Sequence, residues 1–265
     1  MNMLDAIIET EFRYCSAMGA RLHRSPHSVR VSDERIPERE AYNYVFILKD
    51  APVEEVKALV QEELHLLERK GLPHIRIVFH PGNPHRKAID ALESFAYSSR
   101  FVMVRSLPEL PVPVQDEHCR TLDAGDLGAL HAFECHMYDA RGARYARLQT
   151  EIKLDIYTDR NEFDLLLYSF GGRVVGDVEL YTDNGMVKFD DFKVHPDFRR
   201  RGFGKSLQRF AISRACRNGA SRIYAITDND GFVKEMYRND GFAEVGVLHT
   251  FRKQAAAPFL HGTSR

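Results

Sequence analysis

The stretch Val-His-Pro-Asp-Phe-Arg-Arg-Arg-Gly-Phe-Gly-Lys at 194–205 constrains the fold more than any other part of this chain. Residues 186–194 ahead of it read as a strand, and Pro196 removes a ladder donor just beyond. Apolar positions at helical intervals follow over 204–218, and Asn218-Gly219 supplies a C-cap. Between strand and helix, Gly202 and Gly204 permit tight backbone geometry and leave room for a ligand. Free amides at a helix start, reinforced by its dipole, favour a phosphate. Arg199, Arg200 and Arg201 add positive charge beside that cradle. A dinucleotide fingerprint needs a third glycine, and a P-loop needs glycine where Arg199 stands, so neither fits. An ordinary solvated basic turn is the plainer alternative.

The surrounding pattern is a mixture of strands and helices. Residues 163–170 and 174–181 read as strands joined by Gly171-Gly172, and Asp183-Asn184-Gly185 signals a hairpin into 186–194. Residues 126–138 read as a helix capped near Asp123, and 141–157 as a less regular one. After 204–218 come a strand (221–227), a helix (231–239) and a last extended run from 242 to about 252.

Earlier in the chain, strands are expected at 42–48, 74–79 and 101–105, with helices at 53–70 and 86–94. Three prolines in Leu-Pro-Glu-Leu-Pro-Val-Pro-Val (107–114) break any element, which places a boundary near residue 112. The expected organisation is a domain over 1–112, a second over 113–254 and a loose tail over 255–265.

Bulk properties exclude several classes. Lys plus Arg (37) nearly equals Asp plus Glu (38), giving no overall attraction to nucleic acid or an anionic membrane. No apolar run approaches the roughly 20 residues of a membrane span, and no basic leader precedes one. Cys15, Cys119, Cys135 and Cys216 are scattered and read as reduced thiols, so the cytoplasm is the expected compartment. His118, His131, His136 and His195 show no ligand spacing, and no metal is expected.

The motif Val194-x-Pro196-x-x-Arg199-x-x-Gly202-x-Gly204, followed by a helix, a strand and a helix ending in Tyr237-x-x-x-Gly241-Phe242, resembles the Gcn5-related N-acetyltransferase (GNAT) superfamily over about residues 117–252. The resemblance implies an α+β fold with a mixed, mostly antiparallel central sheet and flanking helices, preceded by a smaller α/β N-terminal domain. That domain has no comparable turn and is expected to be a degenerate acetyltransferase-like half.

The resemblance also implies a chemistry. Acetyl-CoA would be the cosubstrate, its pantetheine arm paired to the backbone around Phe192, Lys193 and Val194. The pyrophosphate would sit on amides from Arg200, Arg201, Gly202, Phe203, Gly204 and Lys205, with Arg199 nearby. Asn229 resembles the asparagine that touches the cofactor, although its spacing to Tyr237 departs from the usual one. Tyr237 matches the general acid for the departing thiolate. Asp190 and Asp191 are candidates for accepting the amine proton; strand alternation puts only one of them in a given cleft, and Asp191 is the favoured one. Glu134, Tyr138, Arg144 and Tyr145 lie where such enzymes build the acceptor pocket. The expected partner is a small-molecule or peptide amine, the expected state a monomer or homodimer. The rival reading is a non-catalytic acyl-CoA-binding or sensing module.

Overall fold

The computed structural model describes residues 2–70, 72–108, 114, 116–228 and 231–255. The expected boundary near 112, the candidate Asn229 and the tail beyond Ala255 lie outside the described residues. The chain runs α1 (Met3–Ala17), β1 (Arg21–Arg24), β2 (Ser28–Ser32), β3 (Tyr44–Ile47), α2 (Val53–Lys70), β4 (His74–Phe79), β5 (Ala96–Ser106) and β6 (Cys119–Thr121). It continues through α3 (Leu127–Tyr138), α4 (Ala143–Asp159), β7 (Phe163–Phe170), β8 (Arg173–Asp183), β9 (Met186–Val194), α5 (Phe203–Arg217), β10 (Arg222–Asp228), α6 (Gly231–Asn239) and β11 (Ala243–Gln254). Among the described residues no helix is long and apolar enough to cross a membrane.

Two compact units result. The first holds the chain up to Tyr14 together with Phe101–Gly246; the second holds Cys15–Arg100 and the chain from Val247. In the first unit the strands lie in the order β5, β10, β9, β8, β7, β6. β6 to β9 pair antiparallel, and β9 pairs parallel with β10 through the α5 crossover. Alternation along β7 sends Leu166 and Tyr168 to one core with Leu207, Ala211 and Ala215 of α5. It sends Leu165 and Leu167 to another core with Leu130 and Phe133 of α3. Ile7 and Phe12 of α1 are buried as well. Each such side chain contributes roughly 1.5–3 kcal/mol when taken fully out of water.

The second unit repeats the topology. β1, β2 and β3 pair antiparallel, and β3 pairs parallel with β4 through α2. β11 then adds antiparallel to β4, His249 opposite Phe79 and Gln254 opposite His74. Val56, Val60 and Leu67 of α2 cover Ile75, Ile77 and Phe79. The order β-β-β-α-β therefore occurs twice, as β1-β2-β3-α2-β4 and as β7-β8-β9-α5-β10.

Most expected elements are present, and the differences have local causes. Residues 86–94 form two 3-10 turns, His85–Ala88 and Asp90–Ser94, because the backbone of Ile89 is extended between them. α4 is a regular helix from Ala143 to Asp159. The Asn184-Gly185 hairpin carries positive φ at both residues, 48° and 75°, as a type I′ turn requires.

Candidate active site

The site grows from the place where β9 and β10 part. They pair only over Met186–Lys188 against Arg222, Ile223 and Tyr224. Among the described residues, the β9 edge that faces β10 carries no ladder bonds to it from Phe189 onward, and that edge leads directly to the glycine turn. A backbone edge left open in this way can take an amide-bearing ligand as a surrogate strand.

The turn has the geometry of an anion cradle. Gly202 is the N-cap of α5 with φ +85°, a left-handed conformation that glycine adopts without penalty. A Cβ at Gly202 would meet nothing within 4 Å, whereas one at Gly204 would stand 3.2 Å from Phe192 Cζ. Gly202 thus serves backbone shape, and Gly204 lets the helix start lie close to β9. The Arg199 guanidinium turns back to donate to the Val194 carbonyl at 3.0 Å. Arg201 lies over the Phe198 ring at 5.2 Å, and Arg200 takes φ +60°. Backbone amides with flanking arginines suit a pyrophosphate.

Tyr237 projects from α6 into the core beside this opening. Its ring meets Phe189 edge-on at 5.9 Å and Phe242 at 5.1 Å. Burial, and then the charge of Asp190, push its hydroxyl well above the ordinary phenol range.

The two aspartates do not alternate. The β8–β9 register slips between Asp177 and Glu179, and Asp191 has φ +48°, which marks a β-bulge. The extra residue puts Asp190 and Asp191 on one face of the sheet, which corrects the expectation that only one could look into a cleft. It also turns Lys193 and His195 to that face, while Phe192 packs with the α5 core. Asp190 meets the buried Lys188 at 3.2 Å, and Lys188 meets Glu11 of α1 at 2.8 Å. Tyr224 donates to the other Glu11 oxygen at 2.7 Å.

Asp191 belongs to a larger buried network. Tyr138 donates to it at 3.1 Å, Lys193 lies 2.8 Å away, and Lys153 is also paired to it. Glu134 joins the two lysines, accepting from Lys153 at 2.8 Å and from Lys193 at 2.6 Å. Burial alone would raise the Glu134 carboxyl, but the charges of Lys153 and Lys193 outweigh it and hold the carboxyl below the usual range. Asp177, fully buried, is pushed well above that range by burial. Tyr157 donates to Glu179, which is also fully buried. Carboxylate oxygens of Glu134, Asp177 and Asp191 come within 4.8 Å of one another, as a metal site would require. The Lys153 and Lys193 ammonium groups already occupy the cation positions among them.

Of the candidate acceptor residues, Glu134 and Tyr138 enter this network. Tyr145 packs edge-on against Tyr138 at 6.0 Å, and Arg144 is exposed. Lys153, Asp177, Glu179, Lys188 and Glu11 escaped the sequence reading. Asp177 and Glu179 alone carry a local signal, since in the run Val-Val-Gly-Asp-Val-Glu-Leu-Tyr at 174–181 two acids interrupt an apolar strand at even spacing.

The corresponding place in the second unit is closed. β3 and β4 stay paired to their last residues, Ile47 opposite Phe79. The buried Asn83 side chain donates to the carbonyls of Leu48, at 2.9 Å, and of Lys49 and Ala51. It thereby holds together the loop that is open in the first unit. Glu54 and Glu55 occupy the first turn of α2, where they oppose an incoming anion.

The family model described as Acetyltransferase (GNAT) family matches residues 130–242. A conserved protein of unknown function from Staphylococcus epidermidis has the same fold at a TM-score of 0.72 and 12% identity, over 90% of this chain and 96% of its own. A GCN5-related N-acetyltransferase from Kribbella flavida superposes at 0.62 and 11% identity, over 93% and 96%. Another from Sphaerobacter thermophilus gives 0.63 and 15%, over 89% and 83%. Comparison with curated proteins finds no match. Residues 130–242 match the GNAT family model, and the chain has the same fold as the GCN5-related N-acetyltransferase structures it resembles.

Proposed function

We propose that this protein is an N-acetyltransferase that moves the acetyl group of acetyl-CoA to a primary amine by direct attack. The observation that carries the reading is the opening between β9 and β10, which starts at Phe189, beside Tyr237, and ends at the Gly202 turn. Acetyl-CoA supplies an activated acyl group; the chain supplies placement and proton handling. The open edge at Phe192, Lys193 and Val194 takes the pantetheine amides, and the amides of residues 200–205 take the pyrophosphate.

In this reading the amine nitrogen bonds to the thioester carbon, the carbon–sulfur bond breaks, and Tyr237 protonates the sulfur. Burial keeps the Tyr237 hydroxyl protonated and so available as the donor to the departing sulfur. Asp190 takes the ammonium proton. It is preferred over Asp191 because it pairs with one lysine, whereas Asp191 is held by two lysines and a tyrosine. Asp191 and Tyr138 then form a wall of the acceptor pocket. The second unit acts as a degenerate half that holds no nucleotide, since its turn is latched by Asn83.

The test follows free thiol released from acetyl-CoA across a panel of primary amines. Amine-dependent release is expected, and Tyr237→Phe should lower kcat by about 10²–10⁴-fold with little change in KM for acetyl-CoA. If acetyl-CoA binds but no amine accelerates release, the protein is an acyl-CoA-binding module. The full engagement of Asp191 is the feature that favours that second reading.

A further inference from the structure

The second unit carries a cationic patch that the proposed reaction does not use. Arg76 of β4 and Arg252 of β11 are direct cross-strand partners. Both therefore project from one face of the sheet, opposite to the face that Ile75 and Ile77 present to α2. Arg100 of β5 is near enough for its charge to act on Arg76.

Glu40 bridges two of these three guanidinium groups. Glu40 takes Arg252 on its side chain at 2.9 Å and Arg76 on its main-chain carbonyl at 2.9 Å. Tyr44 stacks 5.5 Å from the Arg76 guanidinium. His74 sits beside them with its ring 3.3 Å from the Asn43 carbonyl, and burial biases it towards the neutral form. Three polar atoms of the patch are shielded from solvent and have no hydrogen-bond partner among the described residues: Arg100 Nε, Arg252 Nε and Thr250 Oγ1. Thr250 and Arg252 stand two residues apart on β11 and so face the same way.

Such a patch is costly as it stands. Like charges directly opposite each other weaken a sheet, and a buried cation needs a compensating anion. Arg76 registers this cost: burial, and then the charge of Arg100, bring its pKa down to about 9. Unmatched donors and surplus positive charge in one place call for a ligand that accepts several hydrogen bonds and carries negative charge.

We propose that Arg76, Arg100, Arg252 and Thr250 form a binding site for a small oxyanion, the carboxylate or phosphate group of a metabolite. Arg100 and Arg252 donate from Nε, Thr250 donates its hydroxyl, and Arg76, the cross-strand partner of Arg252, adds positive charge. The site lies in the unit whose own turn is latched, and it does not depend on the acetyltransferase reading.

The experiment is isothermal titration of the full chain with inorganic phosphate and with citrate, each in buffer balanced with chloride to constant ionic strength. A Gly202→Asp, Gly204→Asp background removes phosphate binding at the glycine turn. Binding of at least one anion is expected there, weakened about tenfold or more by Arg100→Gln and less by Arg100→Lys, which keeps the charge but not the fork. Arg252→Gln repeats the test at the second donor, with thermal unfolding confirming that each variant is folded. Preference for phosphate or for citrate assigns the ligand's anionic group. Absence of binding by both anions, or binding unchanged in Arg100→Gln and in Arg252→Gln, overturns the proposal.

Discussion

Lys193 is a lysine with little water around it, held by Glu134 at 2.6 Å, Asp191 at 2.8 Å and Asp177 at 3.4 Å. Removing one member of such a network leaves buried charge uncompensated. Lys193→Met should therefore destabilise the protein by about 3–5 kcal/mol in urea unfolding, although methionine fits the space. Asp177 gives a pH signature. Its native carboxyl is raised above the ordinary 3.8, so the folded state keeps a proton that the unfolded state has lost. Stability then falls as pH rises from about 4 towards the native pKa. Asp177→Asn keeps the shape and abolishes that slope, so urea midpoints between about pH 5 and pH 8 should decline less in the variant than in the wild type. Glu134 works in the opposite sense: its native carboxyl is depressed, so its contribution is present above the ordinary 4.5 and is lost as pH falls through the native value.

At the scale of elements, the glycine turn separates two demands that the sequence merges. Gly202→Ala meets no neighbour but must hold φ +85°, which costs about 1–2 kcal/mol of backbone strain. Gly204→Ala stays in helical geometry and instead presses on Phe192. Thermal unfolding should show the larger loss for Gly202→Ala if backbone shape dominates the turn. This strand, turn and helix were legible because their signals are local: Pro196, the two glycines and the periodicity of α5 all lie within one short stretch. The Asn184-Gly185 hairpin was legible for the same reason. The bulge at Asp191 was not, because Phe-Asp-Asp-Phe reads as simple alternation, and only pairing with β8 shows the extra residue. β1 and β2 were missed because they are short, with charged or half-buried side chains on much of their length. The acid–lysine network joins residues from α3, α4, β8 and β9, and no spacing along the chain announces it.

At the scale of the whole molecule, the first unit is discontinuous in sequence, which bears on how the chain can be cut. Ile7, Glu11 and Phe12 belong to it, and so does Met103 of β5, which is buried in the α5 core. A fragment of residues 113–265 lacks all four and should fail to unfold cooperatively, whereas the full chain should. Glu11 is a specific loss, since Lys188 and Tyr224 both bond to it and Lys188 also holds Asp190. The repeated β-β-β-α-β order was only faintly visible in the sequence, because the copy in the second unit replaces the glycine turn with a loop held by Asn83. The central claim is that the first unit binds acyl-CoA through that glycine turn, and isothermal titration of the full chain with acetyl-CoA tests it most directly. Saturable binding near one ligand per chain, lost in the Gly202→Asp, Gly204→Asp variant while the fold is retained, is the predicted result. No binding by folded wild type, or equal binding by the variant, would contradict it.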